Sequence, residues 1–314
     1  MNFLVEHESA VRLGFFAGLL AIMTIAELLV PRRKLTVSKP IRWTSNLGLV
    51  AINTVVARLI FPLGAVGISL VCQEKGWGLL NILALPEWLS VIVAVIALDL
   101  AIYLQHLMFH AVPILWRLHM VHHADLDLDV TTGLRFHTLE ILLSMGIKFA
   151  AVMLCGAPAL AVLIFEIVLN ATSMFNHGNL RLPGLLDRVL RIFVVTPDMH
   201  RVHHSVRPEE TNSNFGFNLP WWDYLFGTYR RQPAAGHEGM TVGLAQFRNE
   251  FVVRLHWMLA LPFLGSLGND AVNRKQDDAP DRKNVPPTSG NRAENQDTLA
   301  TPSPAIDDHE PVSH

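Results

Sequence analysis

The chain has 314 residues, 51% of them hydrophobic and 17% charged, with a formal net charge of -2. No overall basicity recruits nucleic acid, and two cysteines, Cys72 and Cys155, are too few for a cysteine cluster, a zinc ribbon or a disulfide framework. Apolar residues bunched into long runs predict a bilayer protein.

Residues 11–30 are almost uninterrupted apolar sequence, long enough to cross a hydrocarbon core of ~30 Å, and form the first expected span. A cleaved signal peptide fits less well, because Glu6 and Glu8 precede the run and no small-residue cleavage site follows it. Pro31-Arg32-Arg33-Lys34, with Lys39 and Arg42 behind, makes a cationic collar that the positive-inside rule assigns to the cytoplasm. The second expected span, 47–72, contains Arg58 and Pro62 and reads as kinked or two-piece, with 73–78 as an external loop. The third, 86–105, returns to the cytoplasmic side and delivers His106 and His110 there.

Residues 139–175, broken at Gly156-Ala157-Pro158, read as two spans joined by a tight hairpin that brings His177 back inside. Lys148 lies ten residues before Pro158 and Glu166 eight after it, so an antiparallel hairpin sets the two charges at similar depth. Each is then a candidate partner for the other, the alternative being a separate polar cavity for each. Residues 180–231 are mixed and soluble-looking, and 251–267 read as an interfacial helix rather than a sixth span. From residue 269 onward the composition cannot offset its own ordering entropy, which predicts a disordered tail.

Histidine is the outlier: 15 residues in all, ten of them between His106 and His204. Three motifs stand out: His106-Leu-Met-Phe-His110, His119-Met-Val-His122-His123 and His200-Arg-Val-His203-His204. Residues three and four apart share a helix face, so each motif presents two or three imidazoles in one direction, a ready-made half of a metal site. Imidazole suits iron, zinc, copper or nickel, whereas magnesium and calcium prefer oxygen. A lone histidine at a membrane interface ordinarily caps or hydrogen-bonds, which suffices for His7, His237, His256, His309 and His314. Crowded imidazoles without a metal would need many separate acceptors and would repel one another once protonated. His177 and His137 complete the candidate set, and eight to ten ligands exceed what one metal can hold, so two metals is the economical count.

The order of these motifs resembles the fatty acid hydroxylase/sterol desaturase superfamily of membrane di-iron enzymes. The surrounding words are similar too: Asp99 with Tyr103, Leu115-Trp116-Arg117, Arg135-Phe136-His137-Thr-Leu-Glu140, Thr196-Pro197-Asp198-Met199-His200, and Trp222-Asp223-Tyr-Leu-Phe-Gly227-Thr228-Tyr229. The resemblance covers residues 94–230. It implies two non-haem irons held by His106, His110, His119, His122, His123, His177, His200, His203 and His204, with His137 as the tenth ligand. Thr138 stands where the family commonly has proline after that last histidine. The expected fold class is all-α, a polytopic membrane helical bundle with a cytoplasmic histidine-rich cap. Residues 1–93 would form an N-terminal transmembrane region, 94–268 the di-iron domain and 269–314 the tail.

The implied chemistry is O2-dependent hydroxylation or desaturation of a lipid C–H bond, because no protein acid or base reaches an unactivated C–H and a redox metal must supply the power. Asp99, Asp125, Asp127, Asp129 and Asp198 are candidate acceptors for the outer N–H of metal-bound imidazoles, with solvated surface acids the alternative for Asp125, Asp127 and Asp129. The aromatics of Pro220-Trp221-Trp222-Asp223-Tyr224 would seal the site or guide a lipid, or else pack in the core. With no cysteine cluster or His-Pro-Gly-Gly haem motif, electrons are expected from a separate ferredoxin, cytochrome or reductase. A membrane zinc hydrolase would want His-Glu-x-x-His, which is absent, and a histidine-rich metal transporter would want sites exchanging across the midplane.

Overall fold

A computed structural model describes residues 2–83 and 85–264, so the expected tail lies outside the described residues. The described residues are helical, with two isolated antiparallel bridges and no strand. Five segments are long and apolar enough to cross a membrane.

The first span is α1 (Glu8–Leu29), bounded by the cationic collar. The second begins earlier than its apolar run suggests. Helix α2 (Lys39–Ile60) starts at Ser38 with Pro40 in its first turn, and Arg42, Asn46 and Asn53 are buried along one face. Its 22 residues rise ~33 Å and cross alone. The chain breaks before Pro62, and α3 (Gly64–Lys75), 12 residues or ~18 Å, is too short to cross. Of the kinked and two-piece readings, the structure shows the second, as two helices. The third span, α4 (Glu87–Ala111), is followed after one residue by α5 (Pro113–His123).

The hairpin α6 (Thr138–Cys155) and α7 (Ala159–Asn176) turns where the glycine-proline signal placed it. Gly156 takes φ +68° there, and a Cβ on Gly78 would lie 2.2 Å from the Gly156 amide nitrogen, so both positions require glycine. Lys148 Nζ meets Glu166 Oε1 at 2.6 Å and Arg12 of α1 approaches Glu166 Oε2 at 3.0 Å, so the carboxylate inside the bundle is paired twice.

Beyond the spans lie α8 (Gly184–Leu190), α9 (Pro197–His203) and α10 (Trp221–Phe226). Residues 250–264 form short helical turns rather than the expected interfacial helix. Val252, Val253, Met258 and Leu261 are buried in one cluster with Leu49, Trp116 and Met120, because Arg135, Arg117 and His137 bond to carbonyls of this segment and hold it against α5.

Candidate metal centre

Nine of the ten candidate histidines come together. His106 and His110 sit one turn apart in the last turns of α4. The sharp Val112-Pro113 corner then starts α5, which carries His119, His122 and His123. His177 is the C-cap of α7. Thr196 caps the start of α9 through the Met199 amide, and Pro197 fits the first turn, so a seven-residue helix is enough to hold His200, His203 and the C-cap His204.

The imidazoles form two buried groups. His106, His110, His119, His123 and His203 make one, His122, His177, His200 and His204 the other, and within each the available nitrogens lie within 4.8 Å of one another. The groups adjoin, since His123 and His204 stack at 4.5 Å between ring centres. Each H-x-x-H-H motif feeds both. The i and i+4 residues of α5 join the first group and the i+3 residue the second, while α9 does the reverse. Consecutive helical residues diverge by ~100°, so a paired His-His straddles the two groups rather than filling half of one.

Outward hydrogen bonds fix the first group. His106 Nδ1 donates to the Phe215 carbonyl at 2.8 Å, His203 Nδ1 to the Ser213 carbonyl at 2.8 Å, His110 Nδ1 to Asn212 Oδ1 at 3.2 Å, and His119 Nδ1 to Glu140 Oε1 at 2.6 Å. Each then has its unprotonated Nε2 inside, and Nε2 of His106, His110, His119, His123 and His203 is buried without a hydrogen-bond partner. Asp223 anchors the loop behind His106, accepting from the Phe215 and Gly216 amides at 2.8 Å each. A Cβ at Gly216 would lie 2.6 Å from Asp223 Oδ2, so glycine permits this approach.

In the second group only His177 has such an anchor, donating from Nδ1 to the Ser173 carbonyl at 2.7 Å. Its single Nε2 lone pair is approached by Nε2 of both His122 and His200, at 3.0 Å each. Two ligands ~2.1 Å from one metal and at right angles would stand ~3.0 Å apart. One metal ion at the meeting point satisfies nitrogens that hydrogen bonds cannot, so both groups fit metal and could hold it.

Burial keeps the rings outside the spans neutral and ready to ligate. Desolvation, then repulsion from neighbouring imidazoles, holds His122, His123, His200 and His204 well below the usual histidine range. Burial brings His177 down to about 4 and His203 to about 3, against the backbone hydrogen bonds that favour their charged forms.

The structure does not bring His137 to the others. It caps α6, accepting from the Leu139 amide at Nδ1 and donating from Nε2 to the Leu259 carbonyl at 3.3 Å, which occupies both ring nitrogens. Nor do the candidate aspartates touch the histidines. Asp99 accepts from Trp222 Nε1 at 2.8 Å and the Leu219 amide at 3.3 Å, and Asp198 pairs with Arg32 and Arg201. Asp125, Asp127 and Asp129 are buried rather than solvated. Arg42 forks onto both oxygens of Asp125 at 2.9 Å and reaches Asp129 at 2.6 Å, while Asp127 accepts from the Thr36 and Val37 amides. These bonds tie the loop after α5 to α2; against the penalty of burial, Arg42 and Arg135 hold Asp125 down at about 2. The carboxylate that does serve a histidine is Glu140, in the first turn of α6. A lone Glu 21 residues from His119 carries no spacing signal of its own.

A cavity of about 550 Å³ reaches His106, His119 and Glu140. Phe61, Phe109, Phe136 and Phe217 line it, and it extends within the bundle to Lys148 and Glu166. Phe136 also stacks on His122, 4.4 Å between ring centres and 10° from parallel.

Residues 91–228 match the Fatty acid hydroxylase family. Among similar proteins, ornithine lipid hydroxylase OlsE of Rhizobium tropici is 32% identical over 47% of this chain and 44% of its own length. Human alkylglycerol monooxygenase is 29% identical over 50% of this chain and 34% of its own, and rat cholesterol 25-hydroxylase 26% identical over 46% and 47%. The chain thus spans less than half the length of each of these relatives. No solved structure matches. Residues 91–228 therefore resemble the fatty acid hydroxylase family in sequence, and these similar proteins are named for the oxidation of lipids.

Proposed function

We propose that this protein is a member of the fatty acid hydroxylase/sterol desaturase superfamily and a membrane-bound di-iron oxygenase that inserts oxygen into, or desaturates, a C–H bond of a lipid drawn from the bilayer. The single observation that carries the reading is the shared wall between the five-histidine group and an apolar cavity, through His106 and His119. His106, His110, His119, His123 and His203 would hold one iron, and His122, His177, His200 and His204 the other. His137 is left to cap its helix. When bound, the pair would relay electrons from a separate donor to O2 and so supply the oxidising power for attack on a C–H bond.

The chain's own residues do the rest. Neutral imidazoles would leave the charge of a bound cation pair largely uncompensated, so its chemistry would depend on water being kept out. The phenylalanines of the cavity exclude it and hold a hydrocarbon segment beside the Nε2 atoms of His106 and His119. Glu140 keeps the His119 proton on Nδ1 and leaves its Nε2 lone pair facing inward, as the Phe215 and Ser213 carbonyls do for His106 and His203.

The hydroxylase and monooxygenase names of the three relatives support lipid oxidation. Residues 94–268 would form the catalytic unit, braced by 1–93 through Arg42. Arg32, Arg33, Lys34 and Lys39 favour a cytoplasmic metal centre, with electrons from a separate ferredoxin, cytochrome or reductase. Lipid extracts from cells with and without the gene, grown under 18O2, test the reading. A lipid heavier by the label, present only with the gene, is expected for hydroxylation, and one lacking two hydrogens for desaturation. Identical lipid profiles in the two strains would refute it.

A further inference from the structure

We infer that a groove on the metal-centre side of the spans, between α8 and α9, binds the phosphate headgroup of an anionic phospholipid. The groove has a volume of about 810 Å³ and is separate from the apolar cavity. Four guanidinium groups line it, Arg32, Arg188, Arg191 and Arg231, against two carboxylates, Asp187 and Asp198. Both carboxylates are already engaged. Asp187 pairs with Arg191 Nε at 2.8 Å and accepts from Thr196 Oγ1 at 2.6 Å, and Asp198 pairs with Arg32 and Arg201. Arg188 and Arg231 have no carboxylate within ion-pair distance among the described residues, which leaves the groove cationic.

Buried groups with unmet hydrogen-bonding capacity stand at the same place. The Arg191 side chain is only 6% exposed; Nη1 donates to the Arg231 carbonyl at 2.9 Å, whereas Nη2 has no partner among the described residues. His237, also buried and lining the groove, has no hydrogen-bond partner at either ring nitrogen among the described residues and stands 3.7 Å from Asp198. The hydroxyls of Tyr224 and Tyr229 add polar atoms to the wall. An acceptor-rich anion satisfies such donors, and guanidinium is the side chain best shaped for phosphate.

The surroundings select a lipid as its source. The inner ends of α1 and α7 are stapled by Arg32 and Arg181 amides donating to the Asn179 and Val30 carbonyls, both at 3.0 Å. Helix α8 starts three residues after Arg181, which sets it where the spans end. It exposes Leu185 at 73%, and the turn after it exposes Ile192 and Phe193. Trp221 and Tyr224 of α10 bond to the Ile192 and Arg191 carbonyls, so the exposed apolar side chains of α10 continue the same surface. Acyl chains have an apolar face to lie on beside a cationic groove for the head.

The test uses the full chain purified in mild detergent and titrated with dioleoyl-phosphatidylglycerol or dioleoyl-phosphatidylcholine, with native mass spectrometry counting retained lipid. The wild type should retain the anionic lipid preferentially. The doubly substituted Arg188→Gln/Arg231→Gln chain, altered only at exposed side chains, should bind it ~25-fold more weakly, about five-fold for each cation removed, with metal content unchanged as a control for folding. Equal retention of the two lipids, or no change in the double variant, would overturn the inference. So would displacement by inorganic phosphate as effective as the lipid, which assigns a soluble anion. An acidic ferredoxin that binds in place of the lipid, through the same arginines, would likewise replace a headgroup site with a protein-docking surface.

Discussion

The two histidine groups share the motifs of α5 and α9 yet are held differently. In the five-histidine group four rings are locked from outside by acceptors, one of them the carboxylate of Glu140, and two rings border the cavity. In the four-histidine group one ring is anchored, and His122, His200 and His204 keep buried nitrogens without hydrogen-bond partners. Outer hydrogen bonds fix ring tautomer and aim before any metal arrives. The first group is therefore preorganised where the hydrocarbon would lie, while the second would depend on a bound metal for order.

The largest effect should come from His119→Ala, which removes a ring belonging to the anchored group and the cavity wall together. Turnover of a lipid in an O2-dependent assay should fall ~10³-fold, as several kcal/mol of stabilisation is lost, with iron content reduced. Retention of full activity would erase the functional difference between the groups.

Asp125→Asn should act on both groups at once, because Asp125 follows the helix that feeds both. Removing the partner of a fully buried arginine lowers stability by about 3–5 kcal/mol, so thermal unfolding should move down and all iron should be lost more readily to chelator. Preferential loss from one group would show that this ion pair does not brace them jointly.

Glu140→Gln separates the groups more finely. The substituted side chain still reaches His119 without its charge, and metal affinity or turnover should drop about 10–100-fold, with one iron weakened and the other retained. Equal weakening of both irons would contradict the asymmetry. The smallest effect is expected from His137→Ala, which removes a helix cap. Stability should fall by ~1 kcal/mol with iron content intact, and loss of an iron would return His137 to the ligand set.

The spans and the hairpin were legible because bilayer dimensions impose long apolar runs and the Gly-Ala-Pro break leaves little choice of turn. The histidines were legible because helical spacing clusters them. Their division into two groups was not, since it depends on how α5 and α9 face one another rather than on either motif. Asp125 and Asp127 stood open between acceptors for imidazole and solvated acids, because their partners, Arg42 and the amides of Thr36 and Val37, lie some 90 residues earlier. Glu140, 21 residues from His119, was hidden because a lone carboxylate at that separation has no helical spacing to mark it, and the break between α2 and α3 was visible only as a proline in an apolar run. Residues 251–267 read as an interfacial helix, but in the described part Val252, Val253, Met258 and Leu261 pack with Trp116 and Met120 of α5, and Arg135 bonds to the Val252 carbonyl.

Metal analysis of the purified full chain tests the central claim most directly, with iron, zinc and copper counted together after expression with iron supplied. Two irons per chain are predicted, with that number lowered by His119→Ala and preserved by His137→Ala. A wild-type chain that carries zinc alone, or no metal while properly folded, would contradict the account.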